Sequence, residues 1–394
     1  MSTRSPGLTQ EARISAGAKS WRQRYRDIKT RWISNPAFQR WAAGFPLTRF
    51  IARRQARALF DLCAGFVYSQ VLTAFVQLRI SELLANGPLP LEDLARLTNL
   101  SLDATSRLMR AAASLGLARA SAHDHYELGD LGASMLGNPS IAQFIAHHAL
   151  LYEDLSDPVA LLRGEKSTRL SQFWPYASAS PDQPSSSAIA KSQFEDYAPY
   201  SNLMAQSQQL ISQDIVEACS FADRRCLLDV GGGEGRFAAQ VALTYDHLDV
   251  RLFDLAPVSD RASRALQAQG LGGRVRCIAG NFLHDPLPAG ADIISLVRII
   301  HDHDDQSALI VLRAAYTALP RGGRLLIAEP MADTPGAEPI GDAYFGFYLL
   351  AMGRGRPRTM TELKLLLHKA GFHSIRPLPT RRPILVSALV AEKV

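Results

Sequence analysis

Residues 227 to 235 read Leu-Leu-Asp-Val-Gly-Gly-Gly-Glu-Gly, and a second apolar run, Val250 to Phe253, ends in the acidic residue Asp254. No other feature constrains the fold as much. The run Cys226 to Val230 predicts a buried strand, the glycines a tight turn, and Arg236 to Tyr245 a helix whose N-terminus opens onto that turn. Glycine is needed there because the backbone must approach a ligand closely and adopt conformations that a Cβ forbids. At the end of the second strand, the Asp254 carboxylate is placed to accept both hydroxyls of a ribose. The dinucleotide fingerprint G-x-G-x-x-G does not fit, because with Gly231 and Gly233 its third glycine would fall on Arg236. The spacing is G-x-G-x-G instead, in what reads as a nucleotide-type cofactor site.

From about residue 206 onward strands alternate with helices. The strands are predicted at Leu227–Val230, Val250–Phe253, Val275–Ala279, Ile293–Val297, Arg324–Ala328, Ser374–Leu378 and Ile384–Ala391. Such alternation predicts a doubly wound α/β sheet that binds ligands at the carboxyl ends of its strands. The chemical residues fall at those ends. Asn281 and Phe282 follow the third strand, where an amide and a ring suit the edge and face of an adenine. After the fourth strand comes the run Leu296-Val-Arg-Ile-Ile-His-Asp-His-Asp-Asp305, which places His301 in the loop above the cofactor. A histidine there can take a proton near neutral pH. His303, two residues on, points elsewhere and reads as a polar surface residue.

A chain of 394 residues is too long for one ordinary domain. Residues 62 to 85 read as apolar helix ending near Asn86-Gly87-Pro88, followed by helices over Leu91–Leu97 and Ser101–Leu115. An alternating stretch, Leu117–Leu128, is broken by His123-Asp124-His125 as a hairpin tip, so the segment reads as a winged helix. Its last helix, Ser101–Leu115, carries only Arg107 and Arg110 as cations, which suits packing rather than nucleic acid. His147-His148 and His123/His125 lack acidic or cysteine neighbours at ligand spacing and read as ordinary histidines, so no metal is expected. Residues 177 to 187 are a polar, serine-rich loop. The four cysteines show no disulfide framework and read as reduced and buried.

The net charge of +6 is unevenly spread: residues 1 to 60 hold thirteen Lys or Arg against Glu11 and Asp27, and the remainder holds 30 against 35 acids. Interleaved with the cations are Trp21, Tyr25, Trp32, Phe38, Trp41, Phe45 and Phe50. The mixture suits an anionic membrane surface. A nucleic-acid arm, or an extension embracing a partner subunit, are the other readings. No signal peptide and no uninterrupted apolar stretch of bilayer length are read, so a cytoplasmic chain, peripheral at most, is expected.

The spacing of Asp229 and Gly231 to Gly235 resembles motif I of the class I S-adenosylmethionine methyltransferases. Together with Asp254, Gly280-Asn281-Phe282 and His301-Asp302 it is similar to the small-molecule O-methyltransferase family of the caffeate and acetylserotonin type. The resemblance covers most of residues 62 to 394. It implies a Rossmann-like class I domain (206–394) preceded by a winged-helix dimerisation domain (61–205) and the basic arm (1–60), a homodimer, and S-adenosylmethionine held by Gly231, Gly233, Asp254, Asn281, Phe282 and Arg298. It also implies His301 as general base, Glu329 as its hydrogen-bonding support, and Tyr200 and Met204 lining the substrate pocket. One departure stands out: the family's second supporting acid is missing, since Pro357 precedes Arg358-Thr359. The basic aromatic arm and Gly355-Arg-Pro-Arg-Thr359 look most similar to the carotenoid branch of phototrophic bacteria, the hydroxyneurosporene (demethylspheroidene) O-methyltransferases. A C40 polyene needs an interfacial approach and an apolar tunnel, for which Tyr344, Tyr348 and Met352, spaced i, i+4, i+8 with Phe345 beside them, are candidates. The implied reaction is methylation of the tertiary hydroxyl of a 1-hydroxycarotenoid. Its rivals are a bacteriochlorophyllide C-methyltransferase and a non-enzymatic winged-helix regulator that senses the cofactor or a pigment.

Overall fold

The computed structural model describes residues 20–173, 208 and 210–394. Tyr200 and Met204, and the serine-rich loop, lie outside the described residues. The chain divides into two compact units, one up to Ala74 and one from Phe75 onward.

In the first unit α1 (Trp21–Ile33), α2 (Pro36–Gly44) and most of α3 (Arg49–Gln77) are helical. Ser20 starts α1 with a capping box shared with Gln23, and Asn35 accepts from the N–H groups of Ala37 and Phe38 to start α2. Of residues 20–60 only Ala42 is buried. α3 is 29 residues long and, by length and composition alone, sufficient to cross a membrane. Asp61 and interspersed polar residues hid this stretch from a search for an unbroken apolar run.

The second unit opens with the winged helix. α5 (Leu91–Thr98) and α6 (Leu102–Ser114) precede strands β2 (Ala118–Ala120) and β3 (His125–Leu128), and β1 (Leu89–Pro90) completes a three-stranded sheet of order β1-β3-β2. His123 and Asp124 both take positive φ at the hairpin tip, the conformation a tight turn between twisted strands demands.

Beyond it lies a seven-stranded sheet of order β6-β5-β4-β7-β8-β10-β9. Its members are β4 (Cys226–Val230), β5 (Asp249–Asp254), β6 (Val275–Ala279), β7 (Ile293–Val297), β8 (Arg324–Glu329), β9 (Ser374–Leu378) and β10 (Ser387–Glu392). β4 to β8 pair in parallel, while β10 runs antiparallel between β8 and β9. Every residue of β4 and β7 is buried, as expected for central strands covered on both faces. Leu227, Val250 and Ile293 pack on one face with Phe237 and Val241 of the helix Arg236–Thr244. On the other, Leu228, Ile294 and Leu325 pack with Val311 and Leu312 of the helix Asp305–Ala318 and with Leu363 and Leu367. Each such side chain contributes about 1.5–3 kcal/mol of burial, which holds the strand ends, and the loops on them, in register.

The last strand starts at Ser387 rather than Ile384. The cause is a turn in which Leu385 and Val386 donate to the carbonyl of Arg382, itself held in a two-pronged ion pair with the buried Asp214 (2.8 and 2.9 Å). That distant partner overrides the local apolar run Ile384-Leu385-Val386. Cys63 is exposed, against expectation, whereas Cys219 and Cys226 are buried.

Candidate active site

The glycine turn sits at the end of β4. Gly231, Gly233 and Gly235 all take positive φ, 70°, 57° and 79°. A Cβ on Gly231 would collide with Ile299, whereas one on Gly233 would meet nothing within 4 Å, so the turn is packed on one side and open on the other. Asp254 ties the two strand ends together: its carboxylate accepts from the N–H of Gly233 at 2.9 Å and of Leu255 at 2.7 Å. Burial lifts Asp254 to about 6 against the pull of those two amides, and lifts Asp229 to about 7. Asp229 accepts from Ser295 at 2.7 Å through Oδ1, while its buried Oδ2 has no partner among the described residues. An open glycine cradle flanked by two buried carboxylates fits a ligand that carries a ribose diol and positive charge, as S-adenosylmethionine does.

Asn281 and Phe282 follow β6 as expected. The Asn281 carbonyl accepts from the N–H of Leu283 at 3.0 Å, so this end of the side chain closes its own turn. Phe282 lies edge to face against His303, 5.5 Å between ring centres. His303 is thus half-buried rather than a fully solvated surface residue, and burial pulls it down to about 4. Arg298 leaves β7 in a left-handed conformation, φ 58°, rare for a side chain with a Cβ, with its N–H bonded to the Ala328 carbonyl at 2.8 Å.

His301 lies in a short 3-10 turn, Ile300–Asp302, and is almost fully buried. Burial, then the charges of Arg298, Arg358 and His303, hold its pKa well below the usual histidine range, so the imidazole is neutral at neutral pH. Its Nε2 stands 3.3 Å from the Asp302 carboxylate, and its Nδ1 has no partner among the described residues. Glu329, at the end of β8, accepts from the backbone N–H of His301 at 3.0 Å, which places its support on the main chain, and its other oxygen is buried without a partner among the described residues. Burial raises Asp302 to about 7 and Glu329 to about 8.

The segment Gly355–Thr359 holds this loop from below. Gly355 presses so closely that a Cβ would strike the His301 carbonyl, and the N–H of Arg356 donates to that same carbonyl at 2.9 Å. Arg358 is fully buried and donates to the carbonyls of Ile300 and His303, both at 2.7 Å, and to Asp305 at 2.7 and 2.9 Å. Where the family pattern has a second acid, this chain therefore has Pro357 followed by a guanidinium that clamps the His301 turn. Arg358 was visible in the sequence only as half of an Arg-Thr pair.

Of the proposed lining residues, Phe345 ends the π-helical stretch Pro339–Phe345, its ring 6.2 Å from that of His301. Tyr344 and Tyr348 stack at 5.9 Å and reach across to α8 (Pro139–Asp154). There the Tyr344 hydroxyl meets His148 Nε2 and the Tyr348 hydroxyl meets His147 Nε2, each at 2.9 Å. The two histidines read as ordinary are thus the cross-struts of the aromatic wall. Burial, then His148, pulls His147 down to about 4. Met352 is buried among Leu151, Leu161 and Leu170 and acts as packing behind that wall.

The chain matches the O-methyltransferase domain over residues 152–373 and the O-methyltransferase dimerisation domain over residues 60–138. It is 39% identical to the demethylspheroidene O-methyltransferase of Cereibacter sphaeroides, over 92% of this chain and 94% of that one. It is also 31% identical to the acetylserotonin O-methyltransferase of Mus musculus, over 84% of this chain and 86% of that one. Among solved structures, human N-acetylserotonin methyltransferase in complex with SAM shares the fold with a TM-score of 0.70 and 23% identity, covering 86% of this chain and 97% of that one. The chain belongs to the family of S-adenosylmethionine-dependent O-methyltransferases that carry an N-terminal dimerisation domain.

Proposed function

We propose that the protein methylates the tertiary hydroxyl of a 1-hydroxycarotenoid, working as a homodimer joined through residues 60–138, with His301 as general base. The observation that carries the substrate class is the likeness to two demethylspheroidene O-methyltransferases, at 39% and 38% identity over 92% and 88% of the chain. The site supports it. The wall near His301 is made of Phe345, Tyr344 and Tyr348, and both tyrosine hydroxyls are engaged by histidines, so the wall meets a substrate chiefly with ring surface.

Gly231, Gly233, Asp254, Asn281, Phe282 and Arg298 are the residues that would hold the cofactor. When bound, S-adenosylmethionine supplies a methyl group on a positively charged sulfur, which leaves with the electrons of the broken carbon–sulfur bond. The chain's own work is to exclude water, orient the hydroxyl and remove its proton. The unpartnered Nδ1 of His301 receives that proton, and the Asp302 carboxylate against Nε2 favours the tautomer with Nδ1 open and steadies the imidazolium that forms. Glu329 and Arg358 hold the backbone of the turn, and aligning the hydroxyl oxygen with the methyl carbon can contribute about 7–11 kcal/mol.

The test is transfer of a labelled methyl group by the purified protein into detergent-dispersed 1-hydroxycarotenoid and, in parallel, into a bacteriochlorophyllide. Label in the carotenoid is expected. Label confined to the chlorin, or in neither despite cofactor binding, would overturn the reading.

A further inference from the structure

We propose that α1 is a docking helix that lays an aromatic stripe on an anionic lipid surface. Trp21, Tyr25, Ile28 and Trp32 recur at i, i+4, i+7 and i+11, and at 3.6 residues per turn they fall within an arc of about 60°. All four are exposed, by 74%, 65%, 57% and 56%, and nothing on α1 is buried. On the same wheel, Arg22 and Lys29 line one edge of the stripe and Arg24 and Arg31 the other, while Gln23, Asp27 and Thr30 fall opposite. This is the pattern of a helix that lies in a headgroup layer, with rings sunk toward the acyl chains and long cationic side chains reaching back to phosphates.

The stripe continues past α1. Trp32 meets Phe38 edge to face at 5.1 Å, Phe38 meets Trp41 at 5.6 Å, and Trp41 stacks on Phe45 at 5.0 Å, which joins α1 and α2 into one aromatic surface. Arg22 sits over the Trp21 ring at 5.4 Å. Across residues 20–60 there are ten Lys or Arg against Asp27 alone, so the surface complements negative charge. A second subunit is not the occupant argued here, because the dimerisation match begins at residue 60, after α1 and α2. Phe60, Leu62 and Phe66 on α3, also exposed, fall inside that match, whereas the α1 stripe falls outside it. The proposal rests on the helix itself and stands apart from the carotenoid reading.

The experiment is co-sedimentation of the full chain with phosphatidylglycerol-containing vesicles and with pure phosphatidylcholine vesicles. Light scattering without lipid, and a titration with a single-stranded oligonucleotide, run in parallel. The wild type is expected to sediment with anionic vesicles only and to come off as salt rises. The triple variant Trp21→Ser, Tyr25→Ser, Ile28→Ser should weaken vesicle partitioning by roughly tenfold or more. A second variant, Arg22→Gln, Arg24→Gln, Lys29→Gln, Arg31→Gln, should do so with the stripe intact, by a similar factor. Both should keep the wild type's thermal unfolding transition and its binding of S-adenosylmethionine, which shows that the chain has folded without calling on the substrate. Vesicle binding unaffected by either variant would overturn the proposal. So would loss of the dimer in the triple variant, or stripe-dependent binding to the oligonucleotide without binding to vesicles.

Discussion

His301, the proposed base, is a neutral imidazole with Nε2 against a carboxylate and Nδ1 buried without a partner among the described residues. Replacing His301 with Ala should lower kcat by about 10²–10⁴-fold, the range of a positioned general base, while cofactor affinity stays near that of the wild type. Turnover that survives the change would remove His301 from the mechanism. The neighbouring Asp302 makes a sharper prediction. Burial raises it to about 7, so in the wild type its carboxylate, and with it the proton-accepting power of His301, should grow as pH rises through that value. Asp302→Asn should flatten this limb of the pH–kcat profile and lower kcat by about 10- to 100-fold with little change in KM for the cofactor. A profile of unchanged shape would assign the limb to Glu329, raised to about 8, or to the substrate.

Between elements, the site depends on two long-range ties. Arg358 hangs the His301 turn on two carbonyls and Asp305, a geometry that a planar fork satisfies and an ammonium does not. Arg358→Lys should cost about 2–4 kcal/mol of stability and depress kcat, measured by thermal unfolding and steady-state rates, because it leaves a buried carbonyl or charge unpaired. The second tie is His147 to Tyr348. His147 is held at about 4 when folded and returns to near 6.5 when unfolded. Between those values the unfolded chain binds more protons. This group's stability is therefore fully present above about pH 6.5 and is lost as pH falls toward 4, at most about 3 kcal/mol. In His147→Phe that slope should vanish from the difference in unfolding free energy against pH. Neither tie was legible in the sequence. His147 and His148 are separated from their tyrosines by 201 and 196 positions, and a lone arginine reads as a solvated surface residue until a fold buries it. The strands and the hairpin were legible because glycine, strand period and turn chemistry act locally; β10 was misjudged at its start because Asp214 acts from 168 positions away.

For the whole molecule, the sequence shows a cofactor domain and a basic arm as separate physical problems, and the chain divides into one compact unit up to Ala74 and one from Phe75 onward. The catalytic unit is organised around a cradle whose carboxylates are held ready at a cost: Asp229 and Asp254 are buried, and both are raised in pKa as a result. A ligand that binds only the folded chain stabilises it by mass action, about 2.7 kcal/mol at a hundred times its Kd. For a domain of this size that corresponds to a Tm increase of about 5–10 °C on adding S-adenosylmethionine. Asp254→Asn should remove most of the increase, since an amide cannot accept both ribose hydroxyls while keeping the N–H of Gly233. In the wild type the increase should shrink as pH falls through about 6, where Asp254 takes up its proton and loses the charge that makes it a double acceptor. A Tm increase that is the same at pH 5 and pH 8 would mean that recognition rests on the glycine turn and the adenine contacts, with Asp254 serving only to close the turn.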